Sequence, residues 1–252
     1  MNPFEAHGIE HLSPSSANLF AAAPAIFVLN KVLKRNTSVG AAAHRGTSVE
    51  LGIAHGLYHP NASVAECAEI ATTKFDTLTA LTTDPRADKE RDSLFGMVTQ
   101  GLLELRPYGV PTSAQGLVEY KHDDLAVPII GYYDFLFTGR KDDTTVVDLK
   151  TAHTVKSAIS HPHARQVSLY QHCLGAKSGR ISYVSAKKAA TYELENPENH
   201  LAALTRICLS IQKFLSVSAD PMELAGMVSP DVESFYASDP ITRASIHEVW
   251  GV

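Results

Sequence analysis

The sequence predicts an α/β fold in which helices flank a central mixed β-sheet, preceded by a helical amino-terminal part. Residues 1–110 contain several helix-start signals, and their apolar residues recur at helical spacing. Residues 115–151 are instead rich in β-branched and aromatic side chains, and from residue 163 onward helix and strand patterns alternate. This order of helices, a β-meander and alternating elements is typical of a mixed α/β domain.

The amino-terminal part is predicted to contain several helices. The segments with this pattern are 15–34, 46–57, 63–81 and 84–105. Ser63 is a suitable N-cap, and Glu66 three residues later completes a capping-box pattern. Asp84-Pro85 opens the last helix, because proline suits the first helical position.

The middle of the chain changes to the pattern of β-strands. Three antiparallel strands are predicted at 115–121, 128–137 and 144–151. Turn residues separate them, including the run 139–143. The elements predicted after them are a helix at 163–174 closed by Gly175, strands at 180–186 and 190–195, and an amphipathic helix at 199–215.

No internal repeat or low-complexity linker divides the chain, so we expect a single domain over 1–252. It comprises a mainly helical part (1–110), a sheet core with flanking helices (111–218) and a carboxy-terminal tail (219–252). No apolar run approaches the ~20 residues that span a bilayer, and the amino terminus lacks the order of a signal peptide. We therefore expect a cytoplasmic protein without membrane segments.

The cysteines exclude two kinds of metal site. Cys67, Cys173 and Cys208 are widely separated, and no Cys-x-x-Cys spacing occurs. A zinc ribbon is therefore not expected, and three cysteines cannot hold a four-cysteine iron–sulfur cluster within one chain.

Charge is distributed unevenly along the chain. The formal net charge is −5, which by itself disfavours a nucleic-acid binder. Residues 140–188, however, contain nine basic and three acidic residues, so this basic segment carries +6 and the rest −11. A basic segment on an acidic body can hold a phosphate backbone, although a solvated charged face would have the same composition.

Three charged residues lie inside the most strand-like region: Asp134, Asp148 and Lys150. Aspartate is depleted in strands, and an ionised carboxylate in a packed sheet is costly unless it is paired or metal-bound. If a five-residue loop at 139–143 joins the two strands, Thr138 pairs with Thr144 and Asp134 falls opposite Asp148. Lys150 then shares their face, because alternate side chains of a strand point the same way.

Two opposed carboxylates repel each other unless a cation lies between them. Hard oxygen ligands of this kind suit Mg²⁺ or Mn²⁺. A metal beside a lysine could polarise a phosphate and activate a water for phosphodiester hydrolysis, with Lys150 orienting that water or stabilising the developing charge. A buried Asp–Lys salt bridge without catalysis is the alternative interpretation.

The combined motifs resemble the RecB-like branch of the PD-(D/E)XK nuclease superfamily. Gly131 to Asp134 matches its Gly-x-x-Asp strand, Asp148 to Lys150 its Asp-x-Lys strand, and Gln166 to Tyr170 its Gln-x-x-x-Tyr helix. Leu12 to Ser15 and Arg45 to Glu50 resemble its two upstream segments. The cysteines of its iron–sulfur members are missing, so that subtype is excluded.

The resemblance implies a restriction-endonuclease-like core and roles for individual residues. Glu50, Asp134 and Asp148 are expected to ligate Mg²⁺, which Mn²⁺ could replace, with help from the Leu149 carbonyl. Lys150 is expected to assist the water, and Gln166, Tyr170 and Arg165 of the basic segment to hold the DNA. His55 rivals Glu50, and Glu119 is a further acid for which a structural role is equally open.

The function implied is a stand-alone, phage-type DNA exonuclease of recombination, replication or DNA processing that leaves 5′-phosphates. Its compartment would be the host cytoplasm if the protein is phage-encoded. A single-strand annealing protein is a candidate partner, and a homo-oligomer is compatible with the analogy. The alternatives are a structure-specific or nicking endonuclease on the same fold, a non-catalytic DNA-binding module, and a metabolic α/β enzyme in which Asp148 and Lys150 are a structural pair.

Overall fold

The computed structural model describes residues 2–35, 39–139 and 143–252. The described residues form two compact units, one within 1–38, 119–131 and 198–252 and the other within 39–118 and 132–197. The strands are β1 (Ser113–Tyr120), β2 (Ile129–Thr138), β3 (Thr144–Thr151), β4 (Ser178–Val184) and β5 (Ala189–Glu193). The α-helices are α1 (Pro3–Ala6), α2 (Pro14–Ala22), α3 (Pro24–Phe27), α4 (Ala41–Tyr58), α5 (Val64–Thr79), α6 (Ala87–Asp92), α7 (Leu94–Leu105), α8 (His161–Leu174), α9 (Pro197–Leu215), α10 (Pro221–Gly226) and α11 (Pro240–Trp250).

The five strands form one mixed sheet in the order β1-β2-β3-β4-β5. β2 and β3 are antiparallel, whereas β3 and β4 are parallel and β5 returns antiparallel to β4. A parallel pair needs a crossover connection, and α8 supplies it between β3 and β4. The predicted α/β class with a mixed sheet and flanking helices is confirmed.

The hairpin register agrees with the sequence prediction. Thr138 pairs with Thr144, and the pairing continues to Phe135 opposite Val147. Asp134 and Asp148 are the next residues on the two strands. The loop on which this prediction depended includes residues 140–142, which lie outside the described part of the chain.

Helices cover both faces of the sheet core. Val147 and Leu149 of β3 belong to a buried apolar cluster with residues of α4, α5 and α7. Ile181 and Tyr183 of β4 belong to a second cluster, which includes Val167 of α8. Because side chains alternate along a strand, Asp148 and Lys150 project away from the first cluster, on the face that α8 covers.

Two of the predicted helices are interrupted, so their predicted continuity was wrong. The helix expected over 15–34 breaks at Ala23 (φ −150°) because the residue before Pro24 is driven out of the helical region. The helix expected over 84–105 begins only at Ala87 and breaks at Ser93, whose hydroxyl donates to the Glu90 carbonyl at 2.6 Å. Such a local side-chain bond competes with helix propagation.

Half of the predicted capping box is present at the start of α5. The Ser63 hydroxyl accepts the Glu66 backbone N–H at 3.1 Å, as expected of the N-cap. The Glu66 carboxylate lies instead 3.2 Å from His55 Nε2 on α4. Gly175 closes α8 in the left-handed conformation (φ +59°), as predicted.

The unit within 1–38, 119–131 and 198–252 has its own apolar cluster. Ile26 and Leu29 pack there with Ala237 and Ile246, and a π-helical turn at Val28–Val32 carries Leu29. The Trp250 indole N–H donates to the Ala225 carbonyl at 2.9 Å, which ties α11 to α10. Across 2–35, 39–139 and 143–252, no helix combines the length and hydropathy that a membrane crossing requires.

Gly52 allows α4 and α5 to pack closely, so a side chain there should destabilise the protein. A Cβ at Gly52 would lie 2.5 Å from the Cys67 carbonyl oxygen of α5, a contact that backbone atoms cannot relieve locally. We expect Gly52→Ala to lower the free energy of unfolding by about 1–3 kcal/mol, as overpacking does, although alanine normally favours a helix. Thermal denaturation beside Gly226→Ala, whose added Cβ meets nothing within 4 Å, tests this. Equal stability of the two variants would contradict it.

Candidate active site

The sheet brings the predicted acids and the lysine together. Asp148 is fully buried, and the Lys150 Nζ lies 2.7 Å from its Oδ2. The Leu149 backbone N–H donates to Asp134 Oδ2 at 2.6 Å, which fixes the Asp134 carboxylate beside β3. A register inferred from loop length alone therefore placed these side chains correctly on neighbouring strands.

The acidic side chains of this group carry like charges and lie close together, with little water around them. Burial raises the pKa of Asp134 well above its usual range, and the charges of Asp148 and Glu50 add to the increase. Burial also raises the pKa of Asp148, which Lys150 opposes. Burial lowers the pKa of Lys150, but the Asp148 and Asp134 carboxylates outweigh it and leave that pKa raised.

Glu50 joins the group from α4. Burial raises its pKa, the Asp148 charge adds to this, and a hydrogen bond from Gln115 opposes it. The Gln115 side-chain amide donates to Glu50 Oε1 at 2.9 Å. The sequence interpretation did not include Gln115, and the sequence carries no signal for it, because the two residues are 65 positions apart and no periodicity pairs them.

The donor chemistry of the site suits a hard divalent cation. Three carboxylates interact electrostatically there, and among the described residues no hydrogen-bond donor reaches Asp148 Oδ1, which is buried. The described ranges contain no group of three His, Cys, Asp or Glu side chains arranged to ligate one ion. Mg²⁺ commonly keeps several water ligands and takes others from substrate phosphates, so the acids of a Mg²⁺ site need not all lie within direct reach of one ion.

Gln166 and Tyr170 lie on one face of α8, as their spacing predicted. The Gln166 side-chain amide donates to the Tyr170 hydroxyl at 2.7 Å. Burial and the charge of Asp148 raise the pKa of Tyr170. The tyrosine is therefore a neutral, buried side chain close to the acids, and Gln166 is the more accessible partner of the two.

His163, also on α8, was not among the predicted site residues. Its Nδ1 lies 2.8 Å from the Tyr183 hydroxyl. Burial, together with the charges of Lys150 and Lys156, lowers its pKa from the ordinary 6.5 to about 4. The imidazole is therefore neutral near pH 7.

The lowered pKa of His163 should make the metal-free protein sensitive to acid. The unfolded chain takes up this proton near pH 6.5 and the folded chain only near pH 4, so the stability that His163 contributes above pH 6.5 is lost as pH falls to 4. We expect the Tm of His163→Asn to fall less than that of wild type over this interval. His161→Asn, which replaces an exposed histidine at the start of α8, is the control. Parallel Tm curves for wild type and His163→Asn would contradict the expectation.

A buried ionic cluster lies at the end of β3. Arg45 of α4 pairs with Glu90 of α6, and both are at most 5% exposed. The Arg45 guanidinium also donates to the Thr151 carbonyl at 3.2 Å, and His153 Nε2 lies 3.1 Å from Glu90 Oε1. The cluster therefore holds α4, five residues before Glu50, to the residue that follows Lys150.

The remaining candidates are placed less centrally. His55, the rival to Glu50, pairs with Glu66 and stacks on His59, which supports a structural role. Glu119 lies 3.1 Å from Lys121. Arg165 is half-buried, and burial lowers its pKa. Their roles, like those of Leu149 and Gln166, stay predictions.

Comparison with known proteins gives a family match over most of the chain. The model of the PD-(D/E)XK nuclease superfamily matches residues 11–236. No curated protein matches the sequence. Among solved structures, the chain is similar to the crystal structure of SSO0001, with 16% identity over 66% of this chain and 85% of that chain and a TM-score of 0.36. This likeness supports no functional assignment.

Proposed function

The chain belongs to the PD-(D/E)XK nuclease superfamily, and from this premise we propose that it is a Mg²⁺-dependent DNA exonuclease of the RecB-like branch. Membership makes it a nuclease, and divalent metal ions are the general cofactors of such enzymes. The substrate, the ion and the exonuclease mode are the proposal. The single observation that carries it is the Asp134–Asp148–Lys150 group, with Asp148 fully buried, joined by Glu50.

The proposed metal ligands are the side chains of Glu50, Asp134 and Asp148, together with the Leu149 carbonyl. A bound divalent ion supplies Lewis-acid polarisation of the phosphate and a more acidic water. The carboxylates are suited to this role because burial, together with their mutual repulsion, raises the pKa of Asp134 and of Glu50, and a cation favours the ionised forms.

Lys150 is proposed to act on the reacting phosphate group. Its raised pKa keeps it an ammonium ion at neutral pH, so it can donate hydrogen bonds to the attacking water or to a phosphate oxygen that gains negative charge. The Asp148 contact at 2.7 Å holds it in place, and a quarter of its side chain remains exposed, which leaves the ammonium accessible to substrate.

The side chains proposed to bind the DNA strand beside the acids are Gln166, Tyr170 and Arg165. The Tyr170 hydroxyl fixes the Gln166 amide, so a substrate group contacting Gln166 meets an oriented partner. The basic segment 140–188 would bind phosphates without reading sequence, and binding should therefore weaken steeply with salt.

An exonuclease is preferred because the sequence has no phosphate-binding loop of a helicase motor and no recognisable sequence-reading domain. By analogy with stand-alone nucleases of phage type, we propose a role in recombination or DNA processing. The same analogy suggests a single-strand annealing protein as partner and a homo-oligomeric form.

The proposal is tested by digesting linear duplex DNA labelled at its 5′ or 3′ end, with and without Mg²⁺. A covalently closed circle is included in parallel. An exonuclease should release end label from linear DNA only with metal and leave the circle intact, and the order of label release gives polarity.

The other outcomes separate the alternatives. Cleavage of the closed circle would replace the exonuclease by an endonuclease on the same fold. Inactivity on linear, circular and single-stranded DNA with both Mg²⁺ and Mn²⁺ would reject the catalytic function, and DNA binding without cleavage would then indicate a binding module.

A further inference from the structure

Gln115 lies in β1 with a backbone conformation that glutamine rarely adopts. Its φ is +52°, in the left-handed region, where non-glycine residues are uncommon and asparagine and aspartate are the usual exceptions. Such a conformation is destabilising unless the surroundings enforce it, and residues of this kind cluster at functional sites.

The residue that follows Gln115 lies in close contact with the neighbouring strand. At Gly116 a Cβ would lie 2.2 Å from the Tyr133 hydroxyl, so Tyr133 of β2 occupies the space beside β1. The same hydroxyl lies 2.8 Å from Ser113 Oγ. Tyr133 directly precedes Asp134, so β1 contacts the residue next to one of the proposed metal ligands.

The residue with this conformation makes a polar contact at the site. The Gln115 side-chain amide donates to Glu50 Oε1 at 2.9 Å. Gln115 is a neutral donor, and its side chain reaches from β1 to the Glu50 carboxylate on α4.

We propose that Gln115 is a positioning residue that holds the Glu50 carboxylate for metal binding. It contacts neither substrate nor metal in this role, and acts through Glu50. The inference rests on the proposed function, because it assumes that Glu50 is a metal ligand. It explains why β1 retains a strained residue beside the site rather than a regular strand.

Gln115→Gly tests the proposal because glycine lacks the side-chain amide but adopts the positive φ without strain. The variant therefore measures the effect of the amide contact separately from that of backbone strain. Glycine adopts positive φ freely, so the metal-free variant should be as stable as wild type or gain about 2–4 °C in Tm. Loss of a hydrogen bond to a charged group should nevertheless raise the Mg²⁺ concentration for half-maximal cleavage by about tenfold. The Tm increase on adding Mg²⁺ should shrink as well.

Two further variants make the test specific. Gln115→Ala removes the same amide but keeps a Cβ at positive φ, so we expect the same change in Mg²⁺ requirement and a lower Tm than Gln115→Gly. Asn196→Gly replaces another positive-φ residue (φ +49°) in the connection before α9, and should leave the Mg²⁺ requirement unchanged.

The proposal is overturned if Gln115→Gly needs the same Mg²⁺ concentration for half-maximal cleavage as wild type. It is also overturned if that Mg²⁺ concentration simply follows Tm across the three variants. Wild type that never cleaves DNA would reject the proposed function instead. The Mg²⁺-dependent Tm increase would still measure metal binding in that case, so the two failures are distinguishable.

Discussion

Asp148→Asn should lower the rate of DNA cleavage by about a thousandfold while leaving the protein folded. Asparagine is nearly isosteric with aspartate but removes the negative charge from the most buried position of the site. Removal of one well-placed electrostatic group from an active site typically costs 10²–10³-fold in rate. Lys150 keeps the charges of Asp134 and Glu50 as partners when Asp148 is neutralised. Because an ionised carboxylate is expensive to bury, the variant should unfold at the same temperature as wild type or at a higher one.

The matched control is Asp143→Asn. Asp143 also lies 2.7 Å from a lysine, Lys177, but both side chains are at least half exposed. This variant should cleave at the wild-type rate, since an exposed pair contributes little. End-label release with equal amounts of each protein measures both rates. Wild-type cleavage by Asp148→Asn would leave Asp148 and Lys150 as a structural pair.

Arg45→Ala should be among the most destabilising single substitutions in the chain. It leaves Glu90 buried without its cationic partner and breaks the bond to the Thr151 carbonyl. Breaking a buried pair from one side costs about 3–5 kcal/mol, which corresponds to a Tm decrease of about 10 °C in a protein of this size.

Two comparisons identify the cause of that decrease. Arg91→Ala removes an arginine that contacts Asp76 with two hydrogen bonds at the surface, and should cost less than about 1 kcal/mol. The double variant Arg45→Met with Glu90→Leu removes both charges, so its Tm should recover most of the loss. If the double variant is less stable than Arg45→Ala, uncompensated charge is not the cause.

The sheet and the central acids were predictable because their signals are local. Runs of β-branched and aromatic residues identified β2 and β3, and the connecting length set the register that pairs Thr138 with Thr144. Asp134, Asp148 and Lys150 followed from that register. The Gln166–Tyr170 contact followed equally from helical spacing.

The missed features depend on contacts between distant parts of the chain or on competing local bonds. Arg45 and Glu90 are 45 residues apart, and no periodicity pairs them. The positive φ of Gln115 and the close approach of Tyr133 to Gly116 are both invisible in a pattern of residue types. Pro24 and Ser93 broke helices whose apolar spacing continued through them, because spacing describes burial and not backbone hydrogen bonding.

Strand β3 pairs antiparallel with β2 and parallel with β4, and this has a consequence for how the chain folds. Its bonds to β2 close across a short connection, a step of microseconds, whereas its parallel bonds to β4 must wait until the chain has passed through α8. We therefore expect Asp134 and Asp148 to come together in the hairpin while it is still hydrated, and to lose water when the crossover is complete. Substitutions that neutralise Asp148 should accordingly slow unfolding or speed late folding, and leave the earliest folding step unchanged.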